Sequence, residues 1–183
     1  LGWGGFWFWD PVENASLLPW LAGTALLHSV SVVEKRESLK SWVVLLAILA
    51  FSLSLVGTFL VRSGVLVSVH AFAIDPTRGI FILALLTLTI GGSLVLFAMR
   101  APKLKSVGNF EPLSREGGLL LNNLLLVTAA ASVLLGTLYP LILEALIGET
   151  VSVGPPFFNV IVLPLLLPLV FAMGIGPYIP WKR

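Results

Sequence analysis

Charged residues fall in clusters, and the clusters cut the chain into long apolar stretches. Residues 14–33, 41–61 and 79–99 hold 20, 21 and 21 consecutive residues without a charge, and residues 117–143 and 150–181 hold 27 and 32. A helix that crosses the bilayer needs about 20 apolar residues. The pattern predicts five transmembrane helices, near 15–33, 41–61, 79–99, 118–143 and 157–175, behind a short segment at 1–14. The fold class is an all-α integral membrane protein. Composition agrees: 57% of residues are hydrophobic, 11% are charged, and the mean hydropathy is +1.02. A soluble domain carries about 25% charged residues.

Several helix ends are written into the sequence. Asp10-Pro11-Val12-Glu13 places an acceptor at N-cap, Pro at N1 and Glu at N3, a capping-box pattern. Asp75-Pro76 repeats the start before the third span. Pro140 predicts a kink late in the fourth span. Pro164 and Pro168 predict a fifth helix that is bent or partly irregular.

Charge adds orientation. Nine of the eleven Lys and Arg residues fall in alternate loops, and the other side has only Arg62 and Arg78. The positive-inside rule puts the nine in the cytoplasm or matrix. The aromatic segment, the 62–78 loop and the 144–156 loop then face outward. The chain starts at Leu1 with no signal-peptide pattern, so it reads as a piece of something longer. It has no cysteine, which removes disulfides, zinc–thiolate sites and thiol relays from its own chemistry.

The first segment is the most unusual one. Gly2-Trp3-Gly4-Gly5-Phe6-Trp7-Phe8-Trp9-Asp10-Pro11 packs three tryptophans and two phenylalanines into seven residues. Trp3, Trp7 and Trp9 offer flat apolar faces, each with one N–H donor. The glycines let backbone approach whatever the rings touch. Such a run suits a large planar partner or an aromatic belt at the membrane surface. Asp10 likewise has two readings, a helix cap and a part of that site.

Only two histidines exist. His28 falls about 20 Å down the first helix from Ala15, at 1.5 Å per residue, roughly two-thirds across a 30 Å core. An ionisable side chain at that depth faces protein. It reads either as an interhelical hydrogen-bond partner of Ser52, Ser54 or Thr58, or as a metal or haem ligand. His70 sits in an apolar loop, where residues 63–74 carry no charge. With Arg62 and Arg78 it could bind an iron and two carboxylates, the polar features of a haem. Asn122 and Asn123 could bridge helices. Glu144 and Glu149 receive no role. There is no phosphate-binding Gly loop, no Ser/His/Asp set and no HExxH motif, and nothing points to nucleic acid.

These residues resemble a known family. Trp3-Gly4-Gly5-Phe6-Trp7-Phe8-Trp9-Asp10-Pro11-Val12-Glu13-Asn14 is similar to the WWD signature of haem-handling membrane proteins. Residues 57–73, from Gly57-Thr58-Phe59 through Arg62-Ser63-Gly64 to His70-Ala71-Phe72-Ala73, narrow the match. With Asp75-Pro76, Arg78-Gly79, Arg115-Glu116, Leu120–Leu126 and Val153-Gly154-Pro155-Pro156-Phe157-Phe158-Asn159, the chain resembles the CcmF family, haem lyase subunits of system I cytochrome c maturation.

The resemblance implies an activity. Such a subunit works with CcmH and CcmI-type partners, takes haem from holo-CcmE, and promotes thioether bonds to the CxxCH cysteines of apocytochrome c. It acts as part of a holocytochrome c synthase (haem lyase) complex. By the resemblance, the WWD segment with Trp3, Trp7, Trp9 and Asp10 binds haem on the outer face, beside the Arg62 and Arg78 that the residue chemistry suggests for its carboxylates. His70 matches an axial ligand of the transferred haem, and His28 matches a ligand of a stable haem b in the membrane. The second histidine of each pair is absent from this chain, so the pair requires the remainder of the protein or a second subunit. The expected location is the bacterial inner membrane with the WWD segment in the periplasm, or the mitochondrial inner membrane for a natural split product. Membrane lipid is an expected partner. A haem transporter or channel and a passive haem-presenting scaffold are the alternatives.

Overall fold

The computed structural model describes residues 5–66, 68, 75–104 and 114–181. Five long helices make up the fold: α1 (Pro11–Arg36), α2 (Lys40–Ser63), α3 (Pro76–Arg100), α4 (Arg115–Ile147) and α5 (Pro155–Ile175). Short 3₁₀ turns follow α3 and α5, and no strand occurs among the described residues. All five helices are long and apolar enough to cross a membrane. Each runs a few residues past its predicted span. Hydropathy marks only the part of a helix that matches the bilayer, whereas caps and flanking charges extend it.

The helices pack in the spatial order α3, α2, α1, α4, α5, with α1 central. Two elements therefore surround α1, and its buried face is made of Leu18, Leu21, Ala22 and Ala25. Opposite it, α4 contributes Leu126, Ala129, Ala130 and Val133. Alanines on both helices let the backbones approach, the usual route to tight packing where lipid removes the hydrophobic drive. Leu46 and Leu53 of α2 and Phe158, Val162 and Leu169 of α5 complete the cluster. By contrast, α3 buries only Gly79, whose missing Cβ would stand 3.0 Å from Ser63 Cα of α2.

The caps behave as their sequences predict. Asp10 accepts from Val12 N while Glu13 Oε2 accepts from Asp10 N at 3.1 Å, closing the capping box. Asp75 accepts from Arg78 N at 3.1 Å and starts α3. The prolines behave differently. Of the two outcomes expected for the fifth helix, bent or partly irregular, the second does not occur: α5 continues through Pro164 and Pro168 as one α-helix. Similarly, α4 runs past Pro140 to Ile147. Each proline removes one backbone hydrogen bond, whereas unwinding in hydrocarbon would strand several backbone groups.

One line of polar contacts fixes α1 against α4. Asn14 Nδ2 donates to Thr137 Oγ1 at 3.1 Å, Asn123 Nδ2 donates to Ser29 Oγ at 2.6 Å, and Arg36 Nε pairs with Glu116 Oε1 at 2.6 Å. Partners advance along α1 as they retreat along α4, in one antiparallel register. Buried polar groups in an apolar core specify a register because any slip strands them.

Candidate functional site

The aromatic segment is anchored by Trp9. Its ring stacks on Phe158 at the start of α5, with centroids 5.0 Å apart and planes 15° from parallel. Its indole N–H donates to Asn159 Oδ1 at 2.8 Å, and its carbonyl accepts from Asn14 Nδ2 at 3.1 Å. These contacts hold Trp9 at φ 59°, in the left-handed region. A bulky residue rarely stays there unless its surroundings over-determine it. Glu13 Oε2 also accepts from Phe8 N at 2.9 Å, which ties the segment back to the first turn of α1.

With Trp9 occupied as an anchor, the open aromatic surface belongs to its neighbours. Trp7 meets Trp9 edge-on at 5.8 Å. Phe6 is fully exposed, and Trp7 and Phe8 remain partly open. Trp3 lies outside the described residues. The tryptophans thus divide their work: Trp9 faces inward and fixes the segment, while Trp7 with Phe6 and Phe8 presents apolar ring surface.

Beneath the segment lies a cavity of about 450 Å³, within the range of small-molecule sites. Trp9, Asn14, Thr137, Glu144, Val153 and Phe158 are among its walls. Gly136 forms part of the same wall because a Cβ there would stand 2.5 Å from Phe157 Cε1 and 2.8 Å from Phe158 Cε1. Gly136→Ala should therefore push the phenylalanines off their seat and cost about 1–3 kcal/mol, the usual range for overpacking. Gly118→Ala, with open space at its Cβ, should instead hold or raise the melting temperature. Equal melts for the two variants in detergent would refute the packing argument.

Asp10 does more than cap. Ser68 Oγ donates to Asp10 Oδ2 at 2.5 Å, so the 62–78 loop reaches the aromatic segment through Asp10. His70, two residues after Ser68, lies outside the described residues. The two arginines are brought to one corner of that loop. Asp75 N donates to the Arg62 carbonyl at 2.9 Å, and Arg78 Nε pairs with Asp75 Oδ2 at 3.2 Å. Arg78 is mostly exposed, so this pair positions the side chain more than it stabilises the fold.

His28 is half-buried about two-thirds of the way along α1, far along the helix from the aromatic end. Its predicted partners on α2 are not the ones it meets. Instead Asn122 Nδ2 of α4 stands 2.5 Å from His28 Nδ1. The helix order explains the correction, since α1 has neighbours on two sides and His28 projects toward α4. Ser52 is buried without reaching it, and Thr58 donates to the Ser54 carbonyl at 2.9 Å. Among the described residues the other ring nitrogen, Nε2, makes no hydrogen bond. One nitrogen fixed by a neighbour and one left open is the donor arrangement of an axial imidazole. His28 is thus a residue that could hold a haem iron through Nε2, in the tautomer with its proton on Nδ1. Among the described residues no three His, Asp or Glu side chains group as a metal site of another kind.

The sequence left Phe158, Asn159 and Asn14 without a role at this site. The Pro155-Pro156-Phe157-Phe158-Asn159 run was the available signal, because two prolines at a helix start fix the aromatic pair that follows.

Comparison with known proteins gives a consistent result. A family model described as "Cytochrome C assembly protein" matches residues 1–67. The chain is 68% identical over 183 residues to the cytochrome c-type biogenesis protein CycK of Rhizobium meliloti (strain 1021), covering all of this chain and 27% of that protein. It is 66% identical over 182 residues to the cytochrome c-type biogenesis protein CcmF of Pseudomonas aeruginosa, covering 100% of this chain and 28% of the relative. A solved structure titled "Cytochrome c Heme Lyase CcmF" superposes with a TM-score of 0.74 at 37% identity, over 100% of this chain and 26% of that one. The chain spans about a quarter of the length of the curated relatives it matches.

Proposed function

This chain belongs to the CcmF family of cytochrome c-type biogenesis proteins, and from that premise we propose that it forms the haem-presenting part of a haem lyase. Five apolar helices make it a multi-pass membrane protein. In this reading the aromatic end faces the periplasm of a bacterial inner membrane, with the Lys- and Arg-rich loops in the cytoplasm. A natural split product would place it in the mitochondrial inner membrane.

The observation that carries the proposal is the hydrogen bond between Ser68 and Asp10. It joins the loop that contains His70 to the segment that exposes Phe6, Trp7 and Phe8. An apolar planar substrate would lie on those rings, with an imidazole approaching from the loop. Arg62 and Arg78 would pair with its propionate carboxylates. In the reaction, a cysteine S–H of apocytochrome c adds across a haem vinyl group. The sulfur–carbon bond forms, the C=C π bond breaks, and the proton ends on the other vinyl carbon. No net oxidation occurs, so the protein's task is to hold both partners in register. The haem is delivered by holo-CcmE, and CcmH and CcmI-type subunits would present the apocytochrome.

His28 would hold a stable haem b as one axial ligand, with the remainder of the protein supplying the other. When bound, that group supplies one-electron redox chemistry in the membrane. A channel would need a continuous polar path. Among the described residues, His28 pairs with Asn122 and Ser29 with Asn123, which are local contacts between two helices.

The test compares Trp7→Ala and His70→Ala in the intact protein. Trp7→Ala should lose about 1–3 kcal/mol of ring stacking, a fall of about 5- to 150-fold in affinity for haem presented at the outer face. His70→Ala should abolish the six-coordinate spectrum of that haem and stop haem-staining of a reporter cytochrome c. Normal cytochrome c assembly in both variants would end the proposal.

A further inference from the structure

Resting on the reading that His28 binds haem b, we propose that Asn122 is a positioning residue for that ligand, selecting the tautomer and fixing the ring plane of His28. The short contact between Asn122 Nδ2 and His28 Nδ1 joins α4 to α1 inside the apolar region. A neutral imidazole carries one proton. If the Asn122 amide nitrogen donates to Nδ1, the proton sits on Nε2, and Nε2 has no lone pair for a metal. If the amide oxygen faces Nδ1, then Nδ1–H donates to it and Nε2 is left as a ligand. The two states differ by a half-turn of the amide, whose oxygen and nitrogen are nearly isosteric. Iron binding at Nε2 therefore selects the orientation with the oxygen toward Nδ1.

Two features of the surroundings make Asn122 suited to this. Its neighbour Asn123 is fully buried and donates to Ser29, the neighbour of His28. Ser29 Oγ donates in turn to the Ala25 carbonyl at 2.9 Å. The adjacent pair thus pins the two helices at the level of the His28 contact, which leaves the Asn122 amide for His28 alone. An acceptor on Nδ1–H also makes the imidazole a stronger electron donor, which stabilises ferric over ferrous iron.

The test uses the intact protein in detergent, with haem b content by pyridine haemochrome and its midpoint potential by redox titration. Asn122→Leu removes the acceptor. Haem retention should fall about tenfold, as for other outer-shell partners of a metal ligand, and the remaining haem should have a raised midpoint potential. Asn122→Asp keeps the shape and strengthens the acceptor, so haem should stay bound with a lowered potential. That variant keeps the question answerable if Asn122→Leu fails to fold. Wild-type content and potential in both variants, while His28→Ala loses haem b, would overturn the positioning role alone. Retention of haem b in His28→Ala would instead remove the haem reading on which it rests.

Discussion

Trp9→Ala is expected to destabilise the aromatic end by about 3 kcal/mol, at the lower edge of large-to-small aromatic substitutions. The lower edge is chosen because Trp9 is only partly buried. Three losses add up: the stack on Phe158, the indole hydrogen bond to Asn159, and the cavity left against the start of α5. An aromatic pair contributes about 0.5–1.5 kcal/mol beyond area, and a hydrogen bond about 1. The left-handed backbone at Trp9 should then relax, since the contacts that hold it are gone. Thermal unfolding of the intact protein in detergent, followed by circular dichroism, measures the effect. Trp20→Ala is the control, because Trp20 is 63% exposed on α1 and its removal should shift stability by less than about 0.5 kcal/mol. Indistinguishable melts for the two variants would show that Trp9 anchors nothing. Trp9→Phe should fall between, keeping a stacked ring without its N–H.

This prediction separates two functions that the sequence merged. Gly2 to Asp10 reads as one block of aromatic residues, and nothing in their order tells an inward ring from an outward one. The distinction depends on Phe158 and Asn159, far away in sequence, and on a fold that brings α5 to the start of α1. Residues whose partners are local were legible. Asp10 with Glu13 and Asp75 with Arg78 cap helices within one turn, where spacing alone dictates geometry. The five helices were legible too, since bilayer thickness imposes a run length that few soluble segments reach. The partner of His28 was not. Ser52, Ser54 and Thr58 lie on the next helix in sequence, and that was the only guide available. The structure places α1 between α2 and α4, and His28 finds Asn122 on α4. The pairing Asn122-Asn123 hinted at a bridge, but adjacency gives no direction. Pro164 and Pro168 leave α5 assigned as one helix, because each removes a single backbone hydrogen bond while the membrane penalises every exposed backbone group.

The same line of contacts sets the second large effect. Arg36→Met should destabilise the intact protein by about 3 kcal/mol, the low end for breaking a buried ion pair. Glu116 is the buried partner, with 5% of its side chain exposed, whereas Arg36 keeps 35%. Removing the guanidinium takes away the cation 2.6 Å from a carboxylate in a site that water barely reaches. The cost falls at the basic end of the α1–α4 seam, on the same register that aligns Ser29 with Asn123 and His28 with Asn122. If His28 holds haem b as proposed, Arg36→Met should also lower haem content, though it touches neither His28 nor Asn122. The double variant Arg36→Met/Glu116→Leu discriminates between charge and packing. With both partners apolar, no buried charge remains, and most of the lost stability should return. Haem content should return with it, because the seam closes again. A double variant as unstable as Arg36→Met would mean that the pair acts through contacts other than its charge. A single variant as stable as wild type would mean that α1 and α4 are held by their alanine-lined core and the asparagines alone.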